Sequence, residues 1–148
     1  MNQFRITAPA ARHFGAWREL FFGYAKFYQT ECPPAAADAV WEWICAGKLR
    51  AILGEDDAGA LCAFAHWEKI LRPLRAQPLA YLHDLYVRPE ARGCGAASAL
   101  IAEVSAAAKV EGCAAVRWAT AADNETAMRL YDRVARKTSW VIYERNSG

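Results

Sequence analysis

The sequence lacks the features of a membrane or nucleic-acid-binding protein. No apolar run approaches the roughly 18–20 residues that a membrane span needs. The stretch Met1 to Arg5 contains no apolar signal region. The 18 lysines and arginines are scattered against 16 acidic residues, which gives a formal net charge of +2 without a basic stripe. We therefore expect a cytoplasmic protein that binds neither a membrane nor nucleic acid.

Paired cysteines are also absent. The five cysteines are odd in number, and no two of them form a C-x-x-C motif. This usage is typical of a reducing compartment, where cysteine serves as a small hydrophobe, and we expect no metal site. Cys94 differs because it lies in a glycine turn near a predicted helix start, where thiols can become reactive. A spacer whose backbone matters more than its sulfur is the favoured interpretation.

The composition that is present indicates one globular domain. The chain has 148 residues, of which 55% are hydrophobic and 23% are charged, and this length is sufficient to bury a core. No internal repeat, low-complexity tract or interdomain linker interrupts the sequence. We predict a single domain over residues 1–148.

Hydrophobic periodicity and turn residues predict an α/β order with a mixed sheet. Aromatic residues at helical spacing predict a first helix, or a kinked pair, which Pro33 and Pro34 would end. A hairpin turn separates the second and third strands, and a loop at 72–78 precedes the fourth. Strands are predicted at 4–7, 49–53, 60–67, 79–87, 114–119 and 139–145, and helices at 14–28, 38–44, 98–111 and 124–136.

The most informative stretch is the turn that follows the strand predicted at 79–87. Pro89 stops this strand, and Gly93 and Gly95 place no side chain between the backbone and a ligand. The next helix start has N–H groups without internal partners, its dipole attracts anions, and Arg92 adds a positive charge. The turn matches neither a P-loop nor a dinucleotide fingerprint. It suits a pyrophosphate, and the alternative is a plain surface turn.

Three motifs follow one another in the second half of the chain. Residues 92–97, Arg-Gly-Cys-Gly-Ala-Ala, match the signature Gln/Arg-x-x-Gly-x-Gly/Ala. Residues 124–132 read Asn-Glu-Thr-Ala-Met-Arg-Leu-Tyr-Asp, and residues 139–144 read Ser-Trp-Val-Ile-Tyr-Glu. In this order they resemble motif A, motif B and the last strand of the GNAT superfamily of N-acetyltransferases, closest to the diamine (spermidine/spermine) acetyltransferase branch and its bacterial relatives. The resemblance covers residues 79–145, and the earlier residues fit by layout.

The resemblance implies a mixed, mainly antiparallel sheet flanked by helices, with acetyl-CoA (coenzyme A) as the co-substrate. The motif strand would hold the pantetheine arm through its backbone, and the glycine turn would bind the pyrophosphate. Asn124 would contact the cofactor arm, although an asparagine at a helix start can also serve as a plain N-cap. The predicted cofactor-binding residues are Leu85, Tyr86, Val87, Arg92, Gly93, Cys94, Gly95, Ala96, Ala97, Ser98 and Asn124.

Tyr131 matches the tyrosine that acts as the general acid in the family. A phenol, with a pKa of about 10 in isolation, can protonate a leaving thiolate of pKa about 8.5 only when it is well placed. Periodicity alone gives a different interpretation, because Ala127, Leu130, Tyr131 and Val134 form an apolar stripe in which a tyrosine usually packs. The motif match favours the acid role.

The general base is where the chain departs from its relatives. The diamine branch has a Leu-Glu-Asp triplet in the motif strand, whereas this chain has Leu82-His83-Asp84. Histidine can accept a proton at neutral pH, and strand alternation predicts that His83 and Leu85 share one face with Asp84 on the other. A water relay past His83 and a base at Glu68 are the alternatives.

The acceptor is expected to be a small primary amine. The first two helices carry Trp17, Tyr24, Phe27, Tyr28, Trp41 and Trp43 near Glu31 and Glu42, and aromatic faces with carboxylates suit a cationic amine. Core or dimer packing is the alternative for any single aromatic.

Protein lysine or N-terminal acetylation and a non-catalytic acyl-CoA-binding module are competing functions. The aromatic surplus and the resemblance to a dimeric branch predict a homodimer.

Overall fold

One five-stranded sheet organises the protein in a computed structural model, which describes residues 4–148. The strands lie in chain order, antiparallel except for the parallel pair β4–β5. This arrangement confirms the predicted α/β fold with a mixed, mainly antiparallel sheet. In chain order the elements are β1 (Arg5–Thr7), α1 (Phe14–Phe27), α2 (Pro34–Cys45), β2 (Arg50–Glu55), β3 (Leu61–Arg72), β4 (Gln77–Val87), α3 (Ala96–Val110), β5 (Val116–Arg117) and α4 (Glu125–Val134).

Helices cover both faces of the sheet. Leu100 and Val104 of α3 pack with Trp67 and Leu82 on one face, while Trp17 of α1 belongs to the core on the other. Seven consecutive residues of β3, from Leu61 to Trp67, are buried as a result, because a strand covered on both sides has no solvent-facing residue. No helix within residues 4–148 is both long enough and apolar enough to cross a bilayer.

Several element boundaries differ from the sequence prediction, above all at the β3–β4 connection and at the start of α2. The loop predicted at 72–78 is shorter than expected, because β3 extends to Arg72 and β4 begins at Gln77, which leaves a 3₁₀ turn at Pro73–Arg75 and Ala76 between them. Helix α2 begins at Pro34 rather than at Asp38. Proline is tolerated in the first turn of a helix, where its missing N–H would have had no partner.

The closing strand predicted at 139–145 is not formed. These residues have no regular secondary structure, and the side chains of Trp140 and Tyr143 are 78% and 93% exposed. The preceding strand is also shorter than predicted, because β5 comprises only Val116–Arg117 instead of residues 114–119. Such a short edge offers few backbone groups to a further strand, so the apolar tail has no strand partner among residues 4–148.

A bulge interrupts the ladder between β3 and β4. His66 is paired with Asp84, whereas the next residue of β3, Trp67, is paired with Leu82, so His83 has no opposite residue. An extra residue in one strand bends that strand and redirects side chains, and bulges are frequent beside active sites. The bulge falls on the triplet in which the sequence departs from its relatives.

Candidate active site

The turn between β4 and α3 is built on two glycines in the left-handed region of backbone space. Gly93 has a φ of 82° and Gly95, the residue that precedes α3, has a φ of 81°. A Cβ atom added at either position would meet no other atom within 4 Å. The backbone conformation therefore requires glycine here, and the space beside the turn is open to a ligand.

The start of α3 completes an anion-binding surface at this turn. The first N–H groups of the helix, from Ala96 to Ser98, have no intrahelical acceptor, and no acidic residue lies in the first turn. The Arg92 Nε donates to the Val87 carbonyl at 2.9 Å, and its guanidinium lies 5.2 Å from the Phe27 ring centroid. These contacts hold a positive charge beside the exposed helix end, where the dipole already favours an anion.

The remaining turn residues have mainly structural contacts. The Cys94 thiol donates to the Ala91 carbonyl at 2.8 Å, which agrees with a spacer rather than a nucleophile. Ala96 is the first residue of α3, and its side chain is buried in the core. Only the backbone of Ala96 can therefore face a ligand. The Tyr86 side chain packs in the core beside α1, with Phe64 at 5.9 Å between ring centroids. Any contact of Tyr86 with a cofactor would therefore come from its backbone.

A cleft opens where β4 and β5 part. Their parallel pairing ends at Tyr81 and Arg117, and among residues 4–148 no strand pairs with the rest of β4 on this side. The β4–β5 cleft has a volume of about 220 Å³ and is lined by Tyr24, Tyr28, Leu82, His83, Leu85, Trp118, Ala119, Thr120, Ala121 and Tyr131. Backbone N–H and C=O groups of β4 beyond Tyr81 are thus left for a ligand that runs along the strand, as an added strand would.

Tyr131 lies in this cleft on α4. Its ring contacts Trp118 edge-on at 5.4 Å, and burial, followed by the nearby Tyr28, raises the pKa of its hydroxyl. The phenol therefore keeps its proton at neutral pH and can donate it. Asn124 caps the same helix, because its Oδ1 accepts from the Ala127 N–H at 3.3 Å. The amide nitrogen of Asn124 and the second lone pair of Oδ1 are not used by this cap.

A second, larger cavity lies between the helices α1 and α2 and the strands β3 and β4. This helix-side cavity has a volume of about 480 Å³, and its lining residues are Phe21, Val40, Trp43, Lys48, Leu49, Glu68, His83 and Asp84. His83 Nε2 lies 3.4 Å from Glu68 Oε2, so the two predicted base candidates are neighbours. His83 lines both cavities, because the bulge takes it out of the simple alternation that the sequence predicts.

A buried hydrogen-bonded network reaches the same cavity, and sequence reasoning missed it. Trp17 Nε1 donates to His66 Nε2 at 3.0 Å, and His66 Nδ1 lies 3.0 Å from Asp84 Oδ2. The Tyr24 hydroxyl donates to Asp84 Oδ1 at 2.8 Å. Burial is the largest single effect on Asp84 and opposes its ionisation, but the hydrogen bonds from His66 and Tyr24 together with charge interactions lower the pKa of Asp84 on balance. The available signal was a histidine inside the apolar run of β3.

The aromatic residues of the first two helices have several different roles. Trp17 is fully buried and stacks on Phe21 at 5.0 Å between ring centroids, and Trp41 packs against it. Trp43 lines the helix-side cavity, whereas Tyr24 and Tyr28 line the cleft. The acidic residues Glu31 and Glu42 are exposed and line neither cavity. The carboxylates of the helix-side cavity are instead Glu68 and Asp84 of the sheet.

The described part of the chain contains no group of side chains that could coordinate a metal ion. Between Phe4 and Gly148, no three His, Cys, Asp or Glu side chains come together in a way that could hold a metal ion. The titratable groups that line the two cavities are three phenols, an imidazole, two carboxylates and the ammonium group of Lys48. These groups can bind a cation and transfer protons.

Comparison with models of known protein families identifies the family of this chain. Residues 15–135 match the model of the Acetyltransferase (GNAT) family. The chain belongs to the GNAT family. It is an N-acetyltransferase, as the sequence motifs predict, and acetyl-CoA is its co-substrate. The finer prediction of a diamine acetyltransferase branch stays a prediction.

Curated relatives and solved structures agree with the family. The D-amino-acid N-acetyltransferase of Saccharomyces cerevisiae is 33% identical over 134 residues, which span 88% of this chain and 83% of that protein. The thialysine N-epsilon-acetyltransferase of Bos taurus is 45% identical over 51 residues, 34% of this chain and 30% of that one. An aminoglycoside N-acetyltransferase crystallised with CoA superimposes with a TM-score of 0.86 at 22% identity, covering 100% of this chain and 97% of that chain. At that identity the structure shows the fold alone.

The described residues fit this GNAT co-substrate. The turn of Gly93 and Gly95 has open space beside it and leads into a helix start without acidic residues, which suits a pyrophosphate. The open edge of β4 leads from this turn into the cleft, which suits an extended arm. Acetyl-CoA supplies an acetyl group that is activated as a thioester.

A charge placed at the start of α3 should separate anion binding from folding. Glu at the third helical position stabilises a helix start, but in Ser98→Glu it would repel a bound pyrophosphate. We expect Ser98→Glu to weaken acetyl-CoA binding about tenfold or more at low salt, with a melting temperature no lower than that of the wild type. Calorimetric titration with acetyl-CoA measures the affinity.

Ser98→Gln is the matched control, since it has the same length without the charge. We expect its acetyl-CoA affinity to stay within about threefold of the wild-type value, because glutamine carries no charge that could repel the pyrophosphate. Equal affinities for the glutamate and glutamine variants would contradict pyrophosphate binding at this turn.

Proposed function

We propose that this protein transfers the acetyl group to a small primary amine, such as a polyamine, a diamine or an amino-acid-like amine, by direct attack in a ternary complex. The observation that carries the proposal is that His83 lines both the cleft and the helix-side cavity. A residue shared by two cavities can meet an acceptor on one side and an acyl donor on the other. Among the described residues that line these cavities there is no cysteine, which favours direct transfer over a thioester intermediate on the protein.

The size and chemistry of the helix-side cavity support a small acceptor. Its volume of about 480 Å³ falls within the range of roughly 300–1,000 Å³ that is usual for small-molecule sites. Glu68 and Asp84 offer negative charge, and Trp43 offers an aromatic face. By their names, the relatives described above act on small amine-bearing molecules. These molecules are a D-amino acid, thialysine and an aminoglycoside.

Two proton transfers complete the proposed reaction. His83, next to Glu68, would accept the proton that the amine loses as it attacks. Tyr131, which also lines the cleft, would donate its hydroxyl proton to the departing thiolate. The hydroxyl is protonated at neutral pH, because burial raises its pKa further above the usual value of about 10. Asn124 would contact the cofactor arm in addition to capping α4.

The function itself is tested by the release of CoA thiol from acetyl-CoA in the presence of different amines. The panel should contain a diamine, a polyamine, D- and L-amino acids, an aminoglycoside and a lysine-containing peptide. We expect at least one small amine to react with a kcat/KM well above that of the peptide. Tight acetyl-CoA binding without transfer to any amine would instead favour the non-catalytic binding module.

The role of Tyr131 predicts a loss of rate without a loss of cofactor binding. Tyr131→Phe removes only the hydroxyl and leaves the ring against Trp118. We expect kcat to fall about 100-fold or more, the usual worth of general acid catalysis, with acetyl-CoA affinity within about twofold of wild type. Tyr143→Phe, in the exposed tail, is the control. A Tyr131→Phe enzyme as fast as the wild type would make Tyr131 a packing residue.

The role of His83 predicts a different outcome for each replacement. His83→Gln cannot accept the proton, and we expect kcat to fall about 100-fold or more. His83→Glu restores a proton acceptor beside Glu68, where repulsion between the carboxylates favours proton uptake, so it should be clearly faster than His83→Gln. The measurement is kcat of each variant from steady-state rates at saturating acetyl-CoA. Wild-type rates in His83→Gln, together with a slow Glu68→Gln variant, would move the base to Glu68.

We also propose that the protein is a homodimer that works in the cytoplasm. The exposed apolar tail at 139–145 and the outer edge of β5, with which no strand within residues 4–148 pairs, would complement each other between two copies. The free state of all five cysteines supports a reducing compartment. Light scattering should give twice the chain mass of 16.4 kDa, and truncation after Thr138 should reduce it. A full-length particle of 16.4 kDa at all working concentrations would contradict the dimer.

A further inference from the structure

His66 is fully buried in the middle of β3, yet it has no part in the proton transfers proposed above. Both of its ring nitrogens have partners, Trp17 on one side and Asp84 on the other. Burying a polar ring is costly unless each polar atom is hydrogen-bonded. The arrangement thus links the interior of α1 to a carboxylate on the wall of the helix-side cavity.

Trp17 determines which nitrogen of His66 carries the proton. The indole N–H can only donate, so His66 Nε2 must accept. In a neutral ring the other nitrogen, Nδ1, is then protonated and donates to Asp84 Oδ2. A doubly protonated His66 would direct an N–H against the indole N–H. The network therefore favours a neutral His66 of one defined tautomer beside an ionised Asp84.

Asp84 keeps acceptor capacity that faces the cavity. A carboxylate has about four lone-pair positions, and His66 and Tyr24 use one on each oxygen. Its side chain is 25% exposed and lines the helix-side cavity. Because both hydrogen bonds are fixed by buried or half-buried partners, the carboxylate is held in one orientation.

We propose that Asp84 binds the positively charged ammonium group of the acceptor, and that His66, fixed by Trp17, is a positioning residue that aims this carboxylate into the cavity. This inference rests on the proposed function and names how the acceptor is recognised. Asp84 is a binding group rather than a base, since its two hydrogen bonds stabilise the charged form. The proton is left to His83 and Glu68.

The charges around Asp84 agree with a cation site. The titratable groups that face it are Tyr24 from α1, His66 and Glu68 from β3, His83 from β4, and Lys48 from the segment after α2. Glu68 and Asp84 provide two carboxylates against the single ammonium of Lys48. An amine that enters the cavity as a cation is therefore attracted, and an uncharged acceptor gains less.

Removal of the Asp84 charge should weaken acceptor binding specifically. Asp84→Asn keeps one oxygen that can accept from His66 Nδ1–H, and its NH2 group can donate to the Tyr24 hydroxyl oxygen, but the charge is lost. With the most active amine of the panel, we expect the KM for the amine to rise about tenfold or more and the KM for acetyl-CoA to change less than about twofold. Asp38→Asn is the control, because Asp38 is half exposed, lies 3.5 Å from Arg18 and lines neither cavity. An unchanged amine KM in Asp84→Asn would overturn the proposal.

Two replacements of His66 separate positioning from mere stability. The amide of His66→Asn can take the place of Nδ1 and donate to Asp84, whereas the longer His66→Gln reaches toward Trp17 and loses the donor to Asp84. Both leave one buried group unpaired, so their melting temperatures should fall by similar amounts. We expect the amine KM to stay within about threefold of wild type in His66→Asn and to rise about tenfold in His66→Gln. Equal KM values in the two variants would assign His66 a structural role only.

The ring state of His66 can be measured without any amine. Nitrogen-15 NMR of the ring should show a neutral Nδ1–H tautomer at pH 7 in the protein saturated with acetyl-CoA, and Trp17→Phe should lose this fixed tautomer. An imidazolium or an Nε2–H tautomer in the wild type would overturn the positioning role. If no amine reacts, the proposed function fails, while the NMR result still decides whether the network positions Asp84 as described.

Discussion

The site depends on one constraint on β4, which pairs with β3 along its whole length but with β5 over only two residues. The ladder to β3 runs from Gln77 to Val87, whereas the parallel ladder to β5 ends at Tyr81. A parallel pair requires a crossover connection, and here the crossover contains α3. The start of α3 consequently lies at the end of β4, at the mouth of the opening. One topological feature thus supplies both the unpaired strand edge and the helix terminus.

The second feature of the site is irregular pairing rather than an open edge. The bulge at His83 removes one residue from the ladder, and His66, which is paired with the next residue Asp84, buries a polar ring. Each would be unfavourable alone, since a buried polar group without a partner costs about 1–3 kcal/mol. Trp17, Tyr24 and Asp84 offset this cost by forming hydrogen bonds that a purely apolar interior would not contain. The same contacts join α1 to the sheet, so stability and acceptor recognition share these residues.

The parts that sequence predicted well are those with local causes. The turn follows from Pro89, Gly93 and Gly95, whose backbone preferences need no tertiary context, and the positive φ angles of both glycines agree. The order of strands and helices followed from periodicity and caps. Asn124 indeed caps α4 through its side chain. The GNAT family followed from motifs that combine these local signals.

The parts that sequence did not predict depend on partners far along the chain. The alternation rule places His83 and Asp84 on opposite faces, but the bulge that lets both line one cavity exists only in the β3–β4 ladder. The network of Trp17, His66 and Asp84 joins positions separated by 49 and 18 residues, for which periodicity has no signal. The closing strand failed for a related reason. Its run of apolar residues at 140–143 requires an edge to pair with, and β5 offers two residues.

The way α4 is attached has a consequence for how the enzyme would lose its activity. This helix carries Tyr131, yet none of its residues is fully buried, and its contact with the sheet face runs through the edge-on pair of Tyr131 and Trp118. Elements with so little burial open at a lower free energy than the core. On warming, the helix that carries the proposed general acid would detach while α1, α3 and the sheet remain folded. Thermal inactivation would then precede the loss of most secondary structure, and a melting curve recorded by circular dichroism would overstate the temperature to which the enzyme remains active.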